Sequence, residues 1–193
     1  MPPVSDHTES RRTTTGLPDW FFPGPPGGWT AEMLDHLELI DGALVMRPPQ
    51  TWFHMLVLRL LERGIRPPAD LMVVREMTVT LGMRQRPEPD IMLVRCSAVT
   101  TSVTSFEPQH VHLVVEVASP ESLDRDRTTK PIKYSTAGIK YLWRLEEDQG
   151  LVAYTYELDR AVKAYVPTGV HRGRLKTDIG FPVDIDLDLD AVR

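Results

Sequence analysis

The run Val111–Val117, VHLVVEV, is apolar apart from His112 and Glu116 and is stopped by Ser119-Pro120. A run of this kind suits a central strand covered on both faces. Residues 90–94, DIMLV, read as a second such strand, and residues 71–81 alternate well enough for a third. Two short apolar runs flank Asp41-Gly42 within residues 38–46, the signature of a hairpin with a tight type I′ turn, and Pro48-Pro49 ends its second strand. Thr51 is the predicted N-cap of a helix reaching about Arg63, with Gly64 as its stop. Met55, Leu56, Leu58, Leu60 and Leu61 make that helix mostly apolar, which places it deep in the core.

A second helical pattern covers about residues 131–137, with Pro131 in the first turn and Gly138 as the stop. Pro131 also disfavours a helical Lys130, so the spacing predicts that lysine at the start of the helix in a non-helical conformation. The remainder reads as β structure: residues 141–146, 151–157 and 161–166, then a weak strand over 171–177. Residues 183–190 alternate apolar and Asp strictly, as an edge strand with one packed and one acidic face would. That stretch lacks the glycine and spacing of an EF-hand loop. Thr30 is a predicted N-cap of a short helix to about Leu37. Residues 1–28 have no periodic apolar pattern and read as a disordered arm, leaving residues 29–193 as a single domain.

Composition narrows this picture in three ways. A chain of 193 residues with 41% hydrophobic and 25% charged positions fits one globular soluble domain. A formal net charge of -5 gives no bulk attraction to nucleic acid or anionic membranes, so a polyanion must meet a local basic patch or a bound metal. Cys96, the only cysteine, excludes an internal disulfide and a thiolate zinc site and fits a reducing cytoplasm. No apolar run approaches the ~20 residues of a membrane span. Arg11-Arg12 is followed by Thr, Gly, Pro and Asp rather than an apolar stretch, so no export signal is expected.

Chemistry concentrates around two carboxylates. Asp90 opens one apolar strand and Glu116 lies near the end of another, so neighbouring strands would bring them together at one edge of a sheet. Two such oxygens, with a main-chain carbonyl (that of Val117) and waters, suit Mg²⁺ or Mn²⁺. The alternative is that Asp90 caps a loop and Glu116 sits in a structural salt bridge. Asp126, Lys130 and Tyr134 are spaced by four and share a face wherever the chain is helical. Lys130 near a metal could stabilise developing charge; otherwise it is an ordinary partner of Asp126. His54 follows Trp52-Phe53 in the first turn of the apolar helix and reads as a partly buried histidine. His110 and His112 are placed on the same strand face as Glu116 and read as structural. Of the basic groups, Arg125, Arg127 and Lys133 adjoin the carboxylates and are the candidates for phosphate contacts with DNA.

Pro89-Asp90, Glu116-Val117-Ala118-Ser119-Pro120, Asp126, Lys130, Tyr134, Gly138 and Tyr141-Leu142-Trp143, in this order and spacing, resemble the bacterial putative restriction endonuclease family (Uma-type) of the PD-(D/E)XK nuclease superfamily. Upstream, Glu38-Leu39-Ile40-Asp41-Gly42, Pro48-Pro49 and His54 match its other recurrent features, and the resemblance covers about residues 29–190. It implies an α/β, restriction-endonuclease-like fold, a mixed central β-sheet flanked by helices, here with additional β-hairpins toward the C-terminus. It further implies a Mg²⁺-dependent endodeoxyribonuclease in which Asp90 and Glu116 bind the metal and Lys130 is the catalytic lysine. The superfamily's usual lysine, two positions after the acid, is replaced by Ala118, and the family pattern puts it on the following helix instead; Lys133 is the fallback. Glu38 resembles an upstream acid that can complete the metal site, and His54, Asp126 and Tyr134 would support it. A catalytically weak nuclease-fold module with a DNA-binding, regulatory or protein-interaction role is the alternative. DNA is the expected partner, and nucleases that cut both strands often pair two active sites, which points to a homodimer.

Overall fold

The apolar runs assemble into a six-stranded mixed sheet in a computed structural model that describes residues 37–47 and 49–193. Its strands are β3 (Leu71–Arg75), β5 (Ile91–Arg95), β7 (Val111–Val117), β8 (Tyr141–Glu147), β9 (Leu151–Asp159) and β10 (Ala164–Arg172), in the spatial order β10-β9-β8-β7-β5-β3. Only β7 and β8 run parallel; every other pair in this sheet is antiparallel. β7 is therefore central, as its continuous apolar sequence predicts. The parallel β7–β8 pair needs a crossover, and residues 118–140 supply it, including a π-helical turn (Arg125–Thr129) that runs directly into helix α2 (Lys130–Thr136).

Period-two alternation sends the sheet's side chains to two cores. One face carries Leu93, Leu113, Val115, Tyr141 and Trp143 against helix α1 (Trp52–Gly64) and against Leu175, Val183, Ile185 and Leu187. The other carries Met92, Val94, Val114 and Leu142 against Tyr134 and Ile139 of the crossover and against Val79 and Phe106. Those last two belong to β4 (Thr78–Val79) and β6 (Ser105–Phe106), a small parallel pair. Thr51 caps α1 as predicted, its hydroxyl accepting from the His54 N–H at 3.2 Å. The predicted hairpin is β1 (Leu37–Ile40) and β2 (Ala43–Met46), and Asp41 and Gly42 both have positive φ, 54° and 82°, as a type I′ turn requires. β11 (Arg174–Asp178) and β12 (Pro182–Asp186) close the chain as an antiparallel pair whose apolar face enters the α1 core while Asp184 and Asp186 stay outside.

Several expectations need correction. The single strand over residues 71–81 is split, because Glu76 adopts φ 51° and turns the chain out of the sheet. Residues 161–163 form a turn, with Lys163 at φ 52°, and β10 runs on to Arg172 through a register shift at Pro167/Gly169. Gly64 is the last helical residue rather than a left-handed stop: a Cβ there would lie 2.8 Å from the Ile185 side chain, so the glycine lets β12 approach α1. Lys130 is helical, with φ -62° and ψ -44°. The π turn explains this, since its N–H bonds to the Arg125 carbonyl and the widened ring relieves the clash a proline makes with the preceding turn. His112 does not share a face with Glu116. A bulge where Leu93 and Val94 face Leu113 and Val111 rotates it toward α1's core, where its Nε2 lies 2.6 Å from the Ile179 carbonyl and its ring is tilted against Tyr141 and stacked near Phe181. His110 lies in a short 3₁₀ turn ahead of the strand. The expected N-terminal arm, the Thr30-capped helix up to residue 36 and the Pro48 strand end lie outside the described residues.

Candidate active site

Antiparallel pairing of β5 with β7 puts Ile91 opposite Val115, so the next residue pair along the same register is Asp90 and Glu116. Both project from the face that α2 covers, at the carboxyl end of β7, the end of a parallel pair where open α/β sheets hold their ligands. The two acids singled out by sequence are thus brought together at one point. They line a cleft of about 580 Å³ with Glu38, Arg47, His54, Asp126 and Lys130 on the same lining and the loop 117–123 along one side.

Lys130 is the hub. Its Nζ lies 2.9 Å from Glu116 Oε2, 3.0 Å from Glu38 Oε1 and 3.4 Å from Asp126 Oδ1. Spacing by four along the helical crossover delivers Asp126, Lys130 and Tyr134 to this point, and the Tyr134 hydroxyl donates to Glu116 Oε1 at 2.6 Å. Glu38 arrives from the β1–β2 hairpin, which is docked by reciprocal main-chain hydrogen bonds between Leu39 and Arg86, and its Oε1 accepts the Glu88 N–H at 2.8 Å. Asp90 has its own partners. Oδ1 accepts from Arg47 Nη2 at 2.8 Å and from His54 Nε2 at 3.0 Å, and Oδ2 accepts the Val117 N–H at 2.7 Å.

The electrostatics follow from burial. Glu116 is pushed well above the usual glutamate range by loss of water, with Lys130 opposing and Asp126, Asp90 and Glu38 adding to the rise. Burial raises Asp126 likewise, against Lys130 and the Ser122 hydroxyl, which donates to its Oδ2 at 2.5 Å. Asp90 goes the other way: burial would raise it, but the hydrogen bond and charge of His54, with Lys130 and Arg47, hold it low. Burial works against the charge on Lys130, yet four surrounding carboxylates outweigh it and keep the ammonium protonated. The cluster holds more acid than base. Asp126 Oδ1, within ion-pair range of Nζ, has no hydrogen-bond partner of its own.

The donor chemistry suits a hard divalent cation: carboxylate oxygens in excess, one orphaned, and no sulfur. A strand residue turns its N–H and C=O to the same side, so the Val117 N–H on Asp90 also brings the Val117 carbonyl to this edge. Among the described residues, however, no three His, Cys, Asp or Glu side chains are gathered as a ready cation cage; Lys130 stands between three of the acids instead.

Of the basic candidates, Arg127 is held by Glu146 through two hydrogen bonds, 3.0 and 2.6 Å, and Lys133 pairs with Asp41 on the hairpin. Arg125 lines the cleft and joins no ion pair among the described residues. Sequence reading missed Arg47, Glu88 and Glu146. Arg47 bridges Glu88 and Asp90, and buried Glu146 also accepts from Arg144 Nε at 2.6 Å. Glu88 sits between two prolines one residue from Pro89-Asp90, a signal that was available; Arg47 and Glu146 look like ordinary strand-end charges until the register is known.

The family model described as Putative restriction endonuclease (Uma2) matches residues 29–190. The chain belongs to this family. A solved structure with a similar fold is "a putative nuclease belonging to DUF820" from Anabaena variabilis ATCC 29413, at 14% identity and a TM-score of 0.57, covering 81% of this chain and 84% of that one. No curated protein matches this Uma2 member. Among the described residues, the six-stranded sheet, its flanking helices and the added hairpins are a restriction-endonuclease-like α/β arrangement, and no helix is long and apolar enough to cross a membrane.

Proposed function

We propose that this Uma2-family protein is a divalent-metal-dependent endonuclease that hydrolyses DNA phosphodiester bonds. The observation that supports it most is the meeting of Asp90, Glu116 and the helix-borne Lys130 at the cleft floor, in the order the family pattern implies. Asp90, Glu116 and the Val117 carbonyl are the ligands assigned to Mg²⁺ or Mn²⁺. When bound, such an ion polarises a phosphate oxygen and lowers the pKa of a water. Tyr134 and Lys130 fix the two oxygens of Glu116, and His54 and Arg47 orient Asp90. The Lys130 ammonium, protonated and preorganised, is assigned to the negative charge that develops on the phosphate. A long side chain on α2 reaches the point that a lysine at position 118 would otherwise serve.

A second reading, a nuclease-fold module with little turnover, is favoured by one observation: Lys130 already pairs with three of the acids and, among the described residues, no three-ligand cage is gathered. The experiment is cleavage of supercoiled plasmid in Mg²⁺, Mn²⁺ or EDTA by wild type, Asp90→Ala, Glu116→Ala and Lys130→Ala, each checked for folding by circular dichroism. Each variant is expected to lose at least about 100-fold in rate. If all three cut as well as wild type, the mechanism is wrong. A rise in melting temperature with Mg²⁺ but no cleavage supports the second reading. Light scattering with and without DNA tests the homodimer.

A further inference from the structure

The cleft has four cationic side chains on its lining: Arg47, Arg125, Arg127 and Lys130. Three are consumed within the protein. Arg47 holds Glu88 and Asp90, Arg127 holds Glu146, and Lys130 holds Glu38, Glu116 and Asp126. Arg125 differs from all of them. Among the described residues it forms no ion pair, and its Nε is shut off from solvent with no hydrogen-bond acceptor. A buried donor without an acceptor costs on the order of 1–3 kcal/mol, and the cost is greater for a charged group. A half-buried guanidinium on the cleft lining with no ion-pair partner among the described residues is an arrangement that an incoming anion would complete.

Its place in the chain ties it to the proposed chemistry. Arg125 opens the π turn, directly before Asp126, and its carbonyl accepts the Lys130 N–H. Whatever anion Arg125 takes is therefore registered to the lysine through one turn of backbone. We propose that Arg125 is a substrate-binding residue that clamps a phosphate of the nucleic-acid strand in the cleft, while Arg127 serves as a positioning residue that fastens the π turn to β8 through Glu146. Planar, forked donors suit two phosphate oxygens at once, which a lysine cannot reproduce. This proposal rests on the nuclease reading for the identity of the ligand but not on turnover.

The test is binding of a fluorescent duplex and of a single-stranded oligonucleotide to the full chain, in EDTA and again in Ca²⁺, over a salt series. The variants are Arg125→Ala, Arg125→Lys and Arg160→Ala, the last removing an exposed arginine at the β9–β10 turn outside the cleft lining. Arg125→Ala is expected to weaken binding about tenfold and to reduce the salt slope by about one, with Arg125→Lys intermediate and Arg160→Ala unchanged within about twofold. In cleavage, Arg125→Ala raises KM and leaves kcat within about twofold. Binding and salt slope equal to wild type overturn the proposal even if cleavage proceeds. If wild type binds no oligonucleotide but inorganic phosphate raises its melting temperature in an Arg125-dependent way, the anion site stands on a free-phosphate ligand and the nucleic-acid assignment is overturned. Arg125-dependent DNA binding with no cleavage in any metal upholds the site while the nuclease reading fails.

Discussion

Replacing Lys130 by Met keeps the aliphatic stem and removes the ammonium, which makes it the sharpest probe of the cluster. Glu38, Glu116 and Asp126 are each 2% exposed and Lys130 is 5% exposed, so solvent does little to screen what is left behind. Removing one partner of a buried ion network costs about 3–5 kcal/mol, because the remaining charges stay desolvated. At roughly 2–4 °C per kcal/mol for a chain of this size, the melting temperature at pH 8 falls by roughly 6–20 °C. The loss depends on pH with a definite sign. Glu116 and Asp126 are already raised by burial in wild type, and without the ammonium both rise further. A carboxyl raised on folding adds stability below its unfolded value, 4.5 for Glu116 and 3.8 for Asp126, and loses it as pH climbs through the folded value. The variant's deficit is therefore largest at pH 8 and shrinks toward pH 4, where protons do the neutralising. Adding Glu38→Gln removes one stranded charge and recovers part of the loss, a coupling a double-mutant cycle reads directly. The assay is scanning calorimetry of metal-free protein from pH 4 to pH 8. A deficit that is flat with pH, or below about 1 kcal/mol throughout, refutes the picture of an ammonium offsetting surplus acid.

Two smaller changes test the surroundings. Gly64→Ala places a methyl 2.8 Å from Ile185 and is expected to cost about 1–3 kcal/mol in urea denaturation, and less in an Ile185→Ala background, which lacks all three of the close side-chain atoms. Glu146→Gln breaks the charged clamp on Arg127 and Arg144 at the cleft rim, so protease nicking of residues 118–129 should rise about tenfold while the global melting temperature moves little. An unchanged nicking rate argues that Arg127 does not fasten the turn.

Much of the site was legible because its residues obey simple periods. Asp90 and Glu116 mark ends of apolar runs, and the 126, 130, 134 spacing survives even where the helix is π-type, since all three side chains still meet Glu116 or Lys130. What period-based reading could not supply was backbone irregularity. The positive φ at Glu76, the bulge that rotates His112 and the π turn that keeps Lys130 helical before proline each break the period locally. Nor could it find partners far apart in sequence: Arg47 reaches Asp90 across 43 positions, and Glu38 meets Lys130 only because the hairpin docks on residues 84–86.

The irregular turn has a consequence for the lysine. A regular α-helix through residues 125–131 would direct Pro131 against the carbonyl four residues before it, and the chain would bend away at Lys130. The π turn admits one extra residue, so the helix continues through the proline and carries Lys130 and Tyr134 onto Glu116 from the same face. In a strand-borne arrangement the lysine would be held by the sheet itself. Here its aim depends on the crossover, which is fastened at Ser122 to Asp126, at Arg127 to Glu146 and at Lys133 to Asp41. On the proposed nuclease reading, the placement of Lys130 makes the crossover, rather than the sheet, the element whose rigidity decides whether the cleft is set for chemistry.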